Sequence, residues 1–98
     1  MDLRGVTGFD WDDGNSRKNE KHGVSPSEVE RVFFNRPLLI AADPQHSLTE
    51  ERFAALGRTD EDRRLVVVFT LRDNKSKIRP ISARPMNRKE RAAYEEAT

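Results

Sequence analysis

A chain of 98 residues, 36 % charged and 35 % hydrophobic with a formal net charge of +1, has room for one domain and one modest core, expected to span residues 1–98. It contains no cysteine, which excludes a disulfide framework, a thiolate zinc site and a cysteine nucleophile. No apolar run approaches the roughly 20 residues that cross a bilayer. Met1-Asp2-Leu3-Arg4 does not open a signal peptide, so no membrane partner and a cytoplasmic location are expected.

The charge is unevenly placed. Residues 1–71 carry −3, residues 72–98 carry +4, and the balance within 72–91 is +6. Such an asymmetry fits a surface built to face an anion, and equally a plain solvated face. Apolar residues cluster in 38–42 and 65–71, as a folded core requires.

Phe9 to Asp13 alternates apolar and acidic residues, which predicts a short strand. Asp13 is placed to cap a helix over about 14–22. Every side chain from Asn15 to Lys21 is polar, so this helix has no apolar stripe, and Trp11 is expected to anchor it. Gly23 suits its left-handed end. The next helix is marked more clearly. Ser25 is the N-cap, Pro26 takes the first helical position, Glu28 completes a capping box, and Val24 and Val29 flank the cap. Val29, Val32 and Phe33 form its apolar face, and Pro37 ends it near Asn35 or Arg36.

Leu38–Ala42 reads as extended and is stopped by Asp43-Pro44. Residues 45–51 read as loop, Arg52–Arg58 as strand, and the acidic run 60–62 as part of a hairpin loop. Leu65–Leu71, with three consecutive valines, is the strongest strand. Asp73-Asn74-Lys75 is a turn, and Lys77–Arg84 returns as strand. Pro80 lacks an amide donor, so that strand needs a bulge or an unpaired position. Asn87 caps a last helix with Glu90 three residues on. The fold class expected is α+β in the order β-α-α-β-β-β-α, a mostly antiparallel four-stranded sheet packed with helices.

Few sites of chemistry fit. His22 and His46 are the only histidines and lie far apart, and the Asp10–Asn15 stretch fails the calcium-loop register, so no metal and no cofactor is expected. There is no GxSxG, GxGxxG or phosphate-binding P-loop. What remains is arginine on strands: Arg58, Arg72, Arg79 and Arg84. Guanidinium holds phosphate oxygens by paired hydrogen bonds, so several on one face would make a phosphate site. Each can also close a surface ion pair with Asp60–Asp62 or Asp73, worth about 0–1 kcal/mol. Arg88, Lys89 and Arg91 open the last helix and Glu95 and Glu96 close it. That order opposes the helix dipole by about 0.3–1 kcal/mol per charge in the first turn. Lys21 and His22 sit at the end of the first helix, where the imidazole either titrates in catalysis or merely caps the helix.

The combination of Phe9-Asp10-Trp11-Asp12, Asn19-Glu20-Lys21-His22-Gly23-Val24, Ser27-Glu28-Val29, Glu51-Arg52, Leu56-Gly57-Arg58-Thr59, Val68-Phe69-Thr70, Ile81-Ser82-Ala83-Arg84 and Arg88-Glu90-Arg91-Tyr94 resembles the BrnT family. The likeness runs from about residue 9 to 95. It implies a RelE-like fold and a toxin of a type II toxin–antitoxin module: a metal-independent endoribonuclease that arrests translation. It further implies a BrnA-like ribbon-helix-helix antitoxin, and contact with operon DNA only through that partner. By position, the resemblance gives catalytic roles to Arg58, Arg84, Lys21 and His22. Arg79, Arg72, Arg88, Lys89 and Arg91 are then expected to bind RNA, and the same basic face is expected to be covered by the antitoxin. A non-catalytic nucleic-acid binder and an antitoxin-binding module without activity are the alternatives.

Overall fold

The computed structural model describes residues 3–46 and 49–97. Met1, Asp2, Ser47, Leu48 and Thr98 lie outside the described residues, so the chain start and part of the expected 45–51 loop fall there. The elements are β1 (Gly8–Phe9), α1 (Asp13–Glu20), α2 (Pro26–Val32), β2 (Leu39–Ala42), a 3-10 turn at Pro44–His46, β3 (Phe53–Arg58), β4 (Arg64–Arg72), β5 (Lys77–Pro85) and α3 (Arg88–Glu96). No described helix is long and apolar enough to cross a membrane.

The sheet has five strands in the order β1-β5-β4-β3-β2. This corrects the four-stranded expectation: four strands, not three, lie between α2 and α3, and with β1 they make five. β1 joins the edge although it has only two residues. It does so parallel to β5, through Gly8↔Lys77 and Phe9↔Ile78, which makes the sheet mixed. The remaining pairs are antiparallel. The strand expected over 9–13 stops at Phe9 because Asp12, not Asp13, is the N-cap of α1. Its carboxylate accepts from the Asn15 amide, and its own N–H donates to Asn15 Oδ1.

Two asparagines take the place of an apolar stripe on α1: Asn15 and Asn19 are its buried residues. Asn15 Nδ2 donates to the carbonyls of Asp10 and Pro80, at 2.9 and 2.8 Å. The strand irregularity expected at Pro80 is present. The register shifts from Val68↔Ser82 to Phe69↔Pro80, leaving Ile81 as the extra residue. α1 thus docks where β5 bulges. The Trp11 indole N–H donates to Glu30 of α2 at 2.8 Å, tying the segment before the cap to the neighbouring helix.

The Ser25 capping box forms as expected, but α2 ends at Val32, three or four residues early. The chain then turns so that Phe33 enters the core. Strand alternation gives the sheet two faces. On one, Leu65, Val67 and Phe69 of β4 and Ala83 of β5 meet Val29, Val32 and Phe33. On the other, Val66, Leu56, Ala54 and Leu39 meet Met86 and Tyr94.

Gly57 fixes how closely α2 approaches the first face. A Cβ there would lie 2.7 Å from Val32 Cγ1 and 3.3 Å from the Val32 carbonyl. Gly57→Ala is therefore expected to destabilise the fold by roughly 1–3 kcal/mol, measured as a lower urea midpoint at unchanged slope. An unchanged midpoint would show that α2 is free to move away.

Candidate nucleic-acid interface

β4 carries Arg64, Val66, Val68, Thr70 and Arg72 on the face opposite α2. The register places Arg58 beside Arg64, Arg84 beside Val66, Arg79 beside Thr70 and Lys77 beside Arg72. The strand arginines therefore share one face. They do not share one point. From Arg84 to Arg79 the partners on β4 are four residues apart, about 13 Å.

α3 divides this face. Its Glu90 meets Arg84, its Tyr94 covers Val66 and Leu56, and the Tyr94 hydroxyl donates to the Pro37 carbonyl at 2.6 Å. On one side of the helix stay Arg58 and Arg64. Arg58 Nε donates to the Arg36 carbonyl at 2.9 Å, and Arg64 pairs with Glu95 at 3.1 Å, its guanidinium 5.9 Å from the Tyr94 ring centre. On the other side lies an open trough formed by two adjoining hollows of about 440 and 280 Å³. The first is lined by Asp43, Arg52, Ser82, Arg84 and Glu90. The second is lined by Lys18, Glu50, Arg52, Arg72 and Arg79. Arg52 and Ile81 belong to both.

The structure thus brings Arg84, Arg79 and Arg72 into one trough and leaves Arg58 behind α3. Lys21 and His22 are exposed beyond the end of α1, beside the β3–β4 turn, where Arg63 donates to the Gly23 carbonyl at 2.9 Å; they are not among the residues lining the trough. Arg88, Lys89 and Arg91 are exposed on α3. Two trough cations escaped the sequence reading. Arg52 shares the parity of Ala54, Leu56 and Arg58 in the strand, so its face was readable from alternation. Lys18 was not, because nothing in an all-polar helix marks which side docks. Thr70 helps to place the Arg52 segment, its hydroxyl donating to the Glu51 carbonyl at 2.7 Å.

The trough arginines already hold carboxylates. Arg84 makes a bidentate pair with Glu90 at 2.7 and 2.8 Å. Arg72 grips Glu50 at 3.1 and 3.2 Å. Arg79 meets Asp12 at 2.9 Å and Asp10 at 3.4 Å. The Glu90 carboxyl is held below its ordinary range, first by Arg84 and then by the Asn87 amide, against a burial effect that pushes it up. Arg84 is raised in turn by Glu90. Asp12 is lowered, chiefly by the Asn15 amide and next by Arg79. Burial pushes the Tyr94 phenol up, so it stays protonated near neutral pH. Among the described residues no three His, Asp or Glu side chains are grouped to hold a metal ion.

Glu90 is depressed in the folded state, so its contribution is complete above its unfolded value near 4.5 and is lost as pH falls through the lower folded value. Glu90→Gln is expected to be less stable than the parent by about 1 kcal/mol at pH 7, with the gap closing on acidification below that range. Urea denaturation at a series of pH values checks this, and a gap independent of pH would remove the charge from the explanation.

The comparison with known families fits this geometry. A family model described as ribonuclease toxin, BrnT, of type II toxin-antitoxin system matches residues 11–90. No curated protein matches the chain. With most of its length matched, including every residue named as lining the trough, the chain belongs to the BrnT family of ribonuclease toxins of type II toxin–antitoxin systems.

Proposed function

We propose that this chain cleaves RNA without a metal ion, by attack of a ribose 2′-hydroxyl on the adjacent phosphate, and so arrests translation in the cytoplasm. The observation that carries the reading is the trough lined by Arg52, Arg72, Arg79 and Arg84. RNA supplies its own nucleophile. The enzyme has to hold the strand, accept a proton and stabilise charge growing on the phosphate oxygens. Fixed guanidinium groups do the last, because they are aimed before the charge develops.

Arg84 is the group we place at the scissile phosphate. Its partner Glu90 is ionised and holds the guanidinium in one orientation. The pair is partly exposed, with side chains 43 % and 24 % accessible, so exchanging carboxylate for phosphate costs little. A phosphate that takes Arg84 leaves Glu90 free to accept the 2′-hydroxyl proton. As the P–O2′ bond forms, the P–O5′ bond breaks, and the 5′-oxygen of the next nucleotide leaves with a proton from water. Arg79, Arg72 and Arg52 then hold neighbouring phosphates, and the exposed cations Arg88, Lys89 and Arg91 attract the polyanion from outside. Arg58 supports the same face from behind α3. Lys21 and His22 serve at most as outlying strand contacts, because their helix end adjoins the β3–β4 turn and not the trough. Tyr94 is a poor proton acceptor, its phenol being raised and its hydroxyl already bonded to Pro37.

We take the neutralising partner to be a BrnA-like ribbon-helix-helix protein and operon DNA to be reached only through it. The RelE-like kinship of the fold belongs to the same reading. A second reading is favoured by the carboxylates on Arg72, Arg79 and Arg84: an RNA-binding module that does not cut. It requires salt-steep RNA binding and no cleavage at any concentration.

The test is a cleavage assay with excess EDTA and end-group analysis. The parent chain is expected to leave 2′,3′-cyclic phosphate or its opened product. Arg84→Ala is expected to lower kcat/KM by about 10²–10³ while remaining folded. Glu90→Gln is expected to lower cleavage by about 10²–10⁴ while binding RNA at least as tightly, its competitor for Arg84 having been removed. Cleavage that requires magnesium would overturn the mechanism, and full activity in Glu90→Gln would remove Glu90 as the proton acceptor.

A further inference from the structure

Phe34 is the large apolar side chain left exposed among the described residues, at 61 %. Its position follows from the early end of α2: Phe33 turns inward and Phe34 outward. The ring lies 6.4 Å from that of Phe9 and 5.1 Å from the Arg31 guanidinium. It stands between two hollows. One, of about 680 Å³, is bounded by Phe33, Leu38, Leu39 and Ile40, with Arg4 and Arg36 at its rim. The other, of about 290 Å³, reaches Val6, Phe9 and Ile78.

The larger hollow meets a sheet edge. β2 is the last strand of the sheet, paired only with β3. The Asp43 amide donates to the Arg52 carbonyl at 2.8 Å, one step beyond the Ala42↔Phe53 pair. Asp43, Ala41 and Leu39 therefore bond inward, and Ile40 and Ala42 turn their N–H and C=O groups to the open edge. β2 itself contains no proline, no charge and no bulge, the usual devices that blunt an edge.

We infer that Phe34 and the open edge of β2 form the docking surface for the antitoxin, entering as an extended segment whose apolar side chains are flanked by carboxylates. The existence of a partner rests on the family; its place and chemistry rest on this geometry. An added strand satisfies the amides and carbonyls of Ile40 and Ala42, and its apolar side chains fill the hollows beside Phe34. The carboxylates answer the basic rim of Arg4, Arg31 and Arg36. Arg31 is partly engaged by Asp60, whereas Arg36 Nη1 donates to the backbone carbonyls of Phe33 and Asn35. A second copy of this chain would set that rim against itself, and RNA has no apolar side chains for the hollows. The edge also explains inhibition. Ala42 and Asp43 line the trough, so a strand added beside them lies about 4.8 Å from its wall, close enough to narrow it.

The experiment titrates the full chain calorimetrically with the protein encoded by the neighbouring reading frame, and measures RNA cleavage by the same variants. Phe34→Asp is expected to weaken the complex at least about 30-fold, as a central aromatic anchor does, and to leave RNA cleavage unchanged. Arg36→Glu is expected to weaken it about tenfold, and Ala42→Pro, which removes an outward amide, by a similar factor. Parent-like binding by both Phe34→Asp and Ala42→Pro overturns the docking surface and leaves the toxin reading standing. Failure of the parent chain to bind that protein overturns the partner assignment as well. A chain that self-associates through Phe34 and ignores the neighbouring protein assigns the surface to a second copy and also overturns the inference.

Discussion

The valine run of β4 is the constraint on which the rest depends. Consecutive strand residues point to opposite faces, so Val66 and Val67 cannot both be covered from one side. α2 buries the Val67 side with Val29, Val32 and Phe33. α3 buries the Val66 side, mainly through Tyr94 and with Met86 just before it. At nine residues α3 is too short to cover a sheet face whose central strand also has nine, at more than twice the rise per residue. The uncovered length of that face is the arginine trough. The candidate site is thus what remains when a short helix closes one end of a two-sided sheet.

The trough is not a bare cationic surface. Arg84, Arg79 and Arg72 face Glu90, the Asp10–Asp12 pair and Glu50. Arginines left without counter-ions beside one another would repel and spread over rotamers. Carboxylate partners hold them in place and mimic the geometry of a phosphate. On the proposed reading, a polyanion would exchange one set of charge-assisted hydrogen bonds for another. Because the carboxylates come from α3, from the segment before α1 and from the segment before β3, each arginine exchanges with a separate element, and phosphates spaced along a strand need not be captured all at once.

Much of this was legible in the sequence, and the misses have physical reasons. The capping boxes at Ser25 and Asn87 are local, so residues three apart revealed them. The irregularity at Pro80 followed from a missing amide. The length of α2 is not legible from Pro37, which limits a helix from downstream but does not oblige it to reach that far. The strand at β1 was misplaced because Asp12 serves α1 as cap, a competition between two local structures that alternation cannot settle. Convergence was the hardest to read. Arg58 and Arg84 share a face, yet α3 lies between them, and only the three-dimensional path of the helix reveals that. The role of Glu90 was half visible, as a capping residue and not as the partner of Arg84.

That double role bears on the odd charge order of α3. Arg88, Lys89 and Arg91 crowd the positive end of the helix dipole, and Glu90 is the single acidic residue in its first turn. Glu90 accepts from the Asn87 amide at 2.9 Å and grips Arg84 with both oxygens. One carboxylate therefore caps the helix, offsets the cations around it and locks the arginine on the adjacent strand. The exposed cations of the helix start and the carboxylate that holds Arg84 are neighbours in the chain. In the proposed mechanism attraction and exchange are coupled at one helix terminus: a phosphate drawn in by Arg88, Lys89 and Arg91 would arrive where Glu90 holds Arg84, and the displaced carboxylate would stay tied to the helix by its backbone partner.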